Sequence, residues 1–307
     1  MKTANIIFRL SPVFCFAMRR DKYIKPTRFP TAVLMATLLT FLPIRLWAES
    51  SVDGQTDLAK KLANPIANLI SVPIQANYDE NIGPAEDGSQ WRVNIQPVIP
   101  VSIGENWNLI TRTILPLIDQ NDIPVSGQGE SGLGDIVASQ FFSPKAATDR
   151  GWIWGVGPVW LLPTATDDAL GGEKFGLGPT AVALKQQGPW TYGALANHIW
   201  SVAGDDDREE VNATFLQPFL SYITSTQTTF GLNTESTYDW QNDEWSVPIN
   251  LTVAQLLKIG GLPVQVSAGV RYWACTGKWA GELGSTSSAH LFVPKMKPYN
   301  MKKEKMS

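Results

Sequence analysis

Between Ile66 and Ala274 apolar and polar residues alternate over short runs, the period of a strand whose two faces meet different surroundings. Trp152, Trp154, Val156, Pro158, Trp160 and Leu162 share one parity, with Gly155 and Gly157 among the intervening positions. The pattern predicts strands at 66–78, 90–103, 106–118, 131–143, 151–162, 174–186, 189–203, 211–223, 226–238, 245–257 and 263–274. Each is long enough to cross a tilted bilayer path, which takes about 9–11 residues.

The links alternate as well. Those at 104–105, 187–188, 224–225 and 258–262 are tight, whereas 79–89, 119–130, 163–173, 204–210 and 239–244 are generally longer and acidic. The link at 143–150 is the exception, being long on the tight side. Short periplasmic turns and longer outer loops are the arrangement of bacterial outer-membrane barrels. The reading is therefore all-β: a transmembrane antiparallel up-and-down β-barrel of about twelve strands.

Parity separates lipid from lumen. Trp245, Val247, Ile249, Leu251 and Val253 take the lipid side, and Ser246, Pro248, Asn250 and Thr252 the inner one. On the strand from Gln227 the inner set is Gln227, Thr229, Asn233 and Glu235. The same count places Arg92, Asn94, Gln96, Arg112, Asp135, Gln265 and Arg271 inside. Trp91, Trp107, Trp152, Trp190, Trp200, Trp240 and Trp245 fall near strand ends, where an interfacial aromatic girdle is expected. Pro73, Pro97, Pro100, Pro116, Pro158, Pro179, Pro218 and Pro248 lie within strands and each removes a ladder donor, so bulges or interrupted ladders are predicted.

The first fifty residues differ. Arg19, Arg20, Lys22, Lys25 and Arg28 precede an apolar stretch from Thr31 to Ile44 and a small residue at Ala48, the form of a secretory signal over 1–48 with Met18 as an alternative start. No later run suits a spanning helix. A formal net charge of −3 without a basic patch argues against nucleic acid as a partner. A mean hydropathy of −0.08 is what a barrel gives when lipid-facing and lumen-facing residues average out. Cys15 lies in the presequence and Cys275 follows the last predicted strand, which leaves no cysteine framework in between.

Eleven strands leave the chain ends on opposite sides, and a twelfth is needed. The segment VQVSAGVRYWA from Val264 resembles the penultimate strand of the outer-membrane transporter family associated with the meta-cleavage pathway of phenol degradation. QPVIPVSIGENW from Gln96, GESGLGDIVASQFFSP from Gly129 and GVGPVWLLPTAT from Gly155 resemble it too. The resemblance implies a β-barrel that passes small aromatic or apolar molecules. It also implies a final strand ending near FLFPK, which the stretch from Cys275 to Ser307 lacks, carrying instead Lys295, Lys297, Lys302, Lys303 and Lys305. Codons can be written for Gly277–Gly284 and Ala289–Lys295 that, moved one base in the same direction, read Ala-Asn-Gly-Pro-Gly-Ser-Trp-Gly and His-Thr-Cys-Leu-Phe-Pro. Residues 275–307 are accordingly read as an out-of-frame tail, and 49–274 as the first eleven strands.

Little chemistry accompanies this pattern. His198 is the one histidine before the tail, and it shares parity with Trp190, Tyr192 and Trp200 on the outer face, away from any lumen triad. Asp205, Asp206 and Asp207 lack calcium-loop spacing. The functional candidates are the lumen charges Arg92, Arg112 and Arg271 opposite Asp135 and Glu235, which either set pore selectivity or form a paired network filling a narrow barrel. The expectation is a passive outer-membrane channel, neither enzyme nor cofactor-dependent. Its partners are membrane lipid, lipopolysaccharide, the barrel assembly machinery and a small-molecule solute. The alternatives are a structural or adhesive barrel whose acidic outer loops bind a partner, and an outer-membrane hydrolase.

Overall fold

A computed structural model describes residues 52–83, 87–123, 125–259, 262–275 and 283–292, the last ten as backbone. Among the described residues one helix, α1 (Val52–Leu62), precedes the strands. These are β1 (Ser71–Ile82), β2 (Gly88–Ile95), β3 (Val98–Ile103), β4 (Trp107–Asn121), β5 (Gly129–Leu133), β6 (Ile136–Pro144), β7 (Trp152–Leu162), β8 (Lys174–Gln187), β9 (Trp190–Gly204), β10 (Asn212–Ile223), β11 (Thr228–Thr234), β12 (Ser236–Asp239), β13 (Glu244–Ile259), β14 (Leu262–Cys275) and β15 (Leu283–Phe292). All pairings are antiparallel, in one sheet. No helix among the described residues is long and apolar enough to cross a membrane.

Three passes are broken in line. β2 and β3 both lie along β4, as do β5 and β6, while β11 and β12 share β10 and β13. Among the described residues, fifteen strands less these three breaks make twelve passes. The prolines explain part of the breakage. Gln96 and Pro97 separate β2 from β3. Pro158 and Pro179 are register partners, and the β6–β7 and β8–β9 ladders skip the residues beside them. Gly157 and Gly178, just before those prolines, have the backbone carbonyls of Gln140 and His198 where a Cβ would stand, so no larger residue fits.

The wall is inside out relative to a soluble sandwich. Ile99, Val101, Phe230, Leu232, Leu251 and Val270 are exposed, whereas Asn77, Gln96, Asn250, Gln265 and Arg271 are buried. Leu251 is 54% accessible and its neighbour Asn250 only 3%, so the pleat turns apolar groups outward and polar ones inward. An apolar exterior around a polar interior is stable only where the exterior meets hydrocarbon. Trp91, Trp107, Trp152, Trp190, Trp200 and Trp240 are exposed near strand ends.

Two expectations are corrected. Residues 66–70 do not begin β1, which starts at Ser71. The chain before it forms α1 and then a turn that puts Ile66 against Val98, Ile110, Phe141, Val182, Leu184 and Leu195 inside the barrel. The pattern predicts no strand beyond Ala274, yet β15 pairs with β14 on one side and β1 on the other, from Ser71↔Phe292 to Glu80↔Leu283. Strand pairing uses backbone groups, and LGSTSSAHLF reaches them without the alternation of large apolar residues by which the other strands were recognised. Cys275 is the last residue of β14, opposite Val247. The proposed signal at 1–48 and the tail residues 276–282 and 293–307 lie outside the described residues.

Candidate functional site

A belt of inward-facing polar side chains crosses β4, β2, β1, β14, β13, β11 and β10. Arg271 is its hub. Nε donates to Asn250 Oδ1 (2.9 Å), Nη1 to Asp79 Oδ2 (3.4 Å), and Nη2 to Asn77 Oδ1 (3.2 Å) and Glu235 Oε2 (3.1 Å). The guanidinium lies 5.7 Å from the ring centre of Trp273, whose Nε1 donates to the other Asp79 oxygen. At 6% accessibility the cation depends on these partners, because an unpaired buried charge is costly.

From this hub the belt runs through side-chain amides. Gln75 donates to Asn77, Gln96 to Gln75, and Arg112 Nη2 to Gln96 Oε1 at 2.7 Å. On the far side Asn250 donates to Asn233 and Gln217 to Glu235. Among the described residues Arg112 has no carboxylate within ion-pair distance. Arg92, in register with Asn77, is exposed to the lumen.

Of the five residues singled out by parity, Arg271 and Glu235 meet directly, and Arg112 joins them through Gln96, Gln75 and Asn77. Asp135 does not join. Its carboxylate accepts from the backbone amides of Thr164 (3.1 Å), Ala165 (3.1 Å) and Gly172 (2.7 Å), fastening the 163–173 loop to the wall. A bulge lies beside it: Leu133 pairs with Leu117 and Val137 with Ile114, so residues 134–136 face only 115–116. Asp79, assigned to a loop by pattern, instead lies in β1 and is a carboxylate of Arg271. Its shared parity with Gln75 and Asn77 is the signal that could have placed it.

Below the belt, at the short-turn end, α1 and residues 63–69 enter the barrel. Gln186 Nε2 donates to the Lys60 carbonyl (2.8 Å) and Gln227 Nε2 to Thr56 Oγ1 (3.0 Å), both from turns or strand ends at that mouth. Between this insert and the belt lies a cavity of about 280 Å³, lined by Lys61, Leu62, Leu69, Val98, Phe219 and Arg112 among others. Residues 52–65 have little strand alternation. The spacing of Leu58 and Leu62 with Asn64-Pro65 as a stop was the available helix signal.

At the long-loop end charges are committed to structure. Buried Lys174 donates to Glu210 Oε1 at 2.8 Å, and the Ser201 hydroxyl donates to the other Glu210 oxygen. Together these hold the Glu210 carboxyl below the usual carboxylate range. Arg208 donates to the Asp168 carbonyl at 2.7 Å and to the Gly171 carbonyl, stitching two loops together. Glu173 shares a hydrogen bond with Asp168, and that contact pushes its carboxyl above the ordinary value. No group of three or more metal-ligating side chains occurs among the described residues. His198 stands on the outer face, Nδ1 2.7 Å from Thr214 Oγ1 and its ring 4.1 Å from that of Trp200.

No family model and no curated protein matches the sequence. Among solved structures, an outer-membrane channel from Pseudomonas putida F1 superposes with a TM-score of 0.59 at 12% identity, covering 73% of this chain and 96% of that one. The NanC porin gives 0.46 at 10% identity over 72% and 99%. Outer membrane phospholipase A from Escherichia coli gives 0.41 at 10% over 78% and 97%. The first of these shows that the fold is that of an outer-membrane β-barrel.

Proposed function

We propose that this protein is a passive outer-membrane channel for small molecules of aromatic or otherwise apolar character. The observation that carries the reading is the combination of an apolar outer wall with an enclosed polar belt and cavity, partly filled by the chain's own N-terminal segment. A wall of this kind belongs in a bilayer, and the residue 1–48 segment is read as its export signal. The short-turn mouth, with α1, faces the periplasm, and the acidic loops face outward toward lipopolysaccharide. Assembly machinery inserts the barrel, as for others of this architecture.

The lumen arginines take part in two ways. Arg271 is neutralised by Asp79 and Glu235 and holds the wall passes together across the narrow lumen. Among the described residues Arg112 and Arg92 have no such ion pair, and they bias the lumen toward anions. The phenol-pathway resemblance of the sequence supports an aromatic solute. The hydrolase alternative loses ground to the position of His198 on the outer face.

Reconstitution in liposomes tests the reading. Phenol or benzyl alcohol should enter protein-containing vesicles faster than protein-free ones under stopped flow, and a disaccharide should not. Equal rates with and without protein for every solute would leave a scaffold, with its loops as the functional surface.

A further inference from the structure

The cavity under the N-terminal insert has an unequal charge lining. Lys61 and Arg112 both line it, and among the described residues neither has a carboxylate within ion-pair distance. Glu235 also lines it, but its Oε2 is bound to Arg271 at 3.1 Å. Among the described residues the Arg112 guanidinium donates one hydrogen bond, to Gln96 Oε1, with five donors available. The lining is mixed: Leu62, Leu69, Val98, Phe219 and Ala254 give apolar surface beside polar side chains such as Gln75 and Gln217. A cavity of about 280 Å³ lies just below the usual range of roughly 300–1,000 Å³ for small-molecule pockets, so it suits a molecule of one ring or a short chain.

We propose that this cavity is a binding site for a small carboxylic acid with an apolar body, its carboxylate held by Arg112 and its body against Val98 and Phe219. Guanidinium is the donor whose planar fork matches a carboxylate bidentately. Lys61, carried on α1, supplies a second positive charge from the insert side, so the occupant bridges the wall and the segment that fills the mouth. A neutral phenol has no use for either cation. A dianion such as phosphate has no apolar body to set against Val98 and Phe219, and burying its second charge there is unfavourable. This inference rests on the channel reading and narrows its solute.

Isothermal titration of the full chain in detergent, with benzoate, benzyl alcohol and inorganic phosphate as probes, tests it. Benzoate should bind, benzyl alcohol and phosphate at least roughly tenfold more weakly, the difference one charge-assisted pair makes. Arg112→Gln should cost benzoate roughly tenfold or more by the same reasoning, with benzyl alcohol unchanged. Arg150→Gln, the same charge change on the turn before β7, should leave benzoate binding as it was. Retention of the compact form on unheated SDS gels establishes that each variant is folded, and Arg112→Lys, which keeps the charge without the fork, should fall between. Benzoate binding that is absent, or equal in wild type and folded Arg112→Gln, overturns the site. Charge-blind vesicle entry of benzyl alcohol together with that result overturns the site alone, whereas benzoate binding without permeation of any solute overturns the channel and leaves the site.

Discussion

The side-chain amide of Gln186 donates to the backbone carbonyl of Lys60 at 2.8 Å, across 126 residues of sequence. Lys60 is among the last four residues of α1, whose carbonyls have no partner within the helix. The Ala59 and Lys61 carbonyls are taken by Ala63 and Asn64, so the wall supplies the acceptor's missing donor at the one between. With Gln227 bound to Thr56, the helix is held to the barrel at both of its turns described in full.

Cutting both tethers should loosen the insert and leave the wall intact. In a Gln186→Ala, Gln227→Ala double variant, entry of small neutral solutes into reconstituted vesicles should rise severalfold, while the unheated gel band stays compact. Unchanged entry would show that Ile66 and its apolar contacts hold the segment without them.

Arg271 is the residue on which the wall's polar interior turns. Arg271→Met leaves Asp79 and Glu235 facing each other without a cation, a change worth about 3–5 kcal/mol where a buried pair is broken. Urea unfolding followed by tryptophan fluorescence should show the midpoint fall. Adding Asp79→Asn and Glu235→Gln should restore much of it, because the uncompensated charges are then gone.

Arg112 and Asp135 separate two roles that sequence parity joins. Arg112→Ala should shift the reversal potential of reconstituted channels toward cation preference, because it removes a lumen charge without an ion pair. Asp135→Ala should leave the potential alone and expose the 163–173 loop to proteolysis, since three backbone amides lose their acceptor, each worth about 1–3 kcal/mol if left unsatisfied. A potential that moves with Asp135 instead would put its charge in the conduction path.

The Glu210 contacts make the long-loop end acid-sensitive. The folded carboxyl titrates below its unfolded value because Lys174 and Ser201 donate to the charged form, so its contribution is present above the unfolded range and fades as pH falls through the folded one. Proteolysis of the 205–211 loop should accelerate on acidification in the wild type. In Glu210→Gln that loop should be cut faster at neutral pH, with little further change on acidification. Glu173 has the opposite sign: its carboxyl is raised by Asp168, so deprotonation of the pair costs stability as pH rises through that raised value.

The last strand has its own test. A chain ending after Cys275 lacks β15 and should fail to give the compact form on unheated gels, because β1 and β14 then present unpaired edges. Sequencing the gene across the codons for Arg271 to Lys295 decides whether a one-base slip produced the present ending, and a corrected ending should fold at least as readily.

The sequence by itself determined the fold class and ten of the passes to within a few residues, because strand parity in a bilayer is written in every second side chain. Trp152 through Leu162 could face lipid only one way. It also determined that Arg112, Glu235 and Arg271 point inward, since each shares parity with polar neighbours on an unshifted stretch of ladder. What it could not decide were features made by backbone contacts or by residues distant in the chain. The bulge at 134–136 and the fastening of the 163–173 loop by Asp135 leave no mark on the local pattern. The pairing of Leu283–Phe292 needs only backbone donors and acceptors, which any sequence carries. The seating of Ile66 among Val98, Ile110 and Phe141, and with it the cavity beside Arg112, exists only once the barrel has formed around the N-terminal segment. Parity is a local property and survives in the sequence; enclosure is a property of the whole wall and does not.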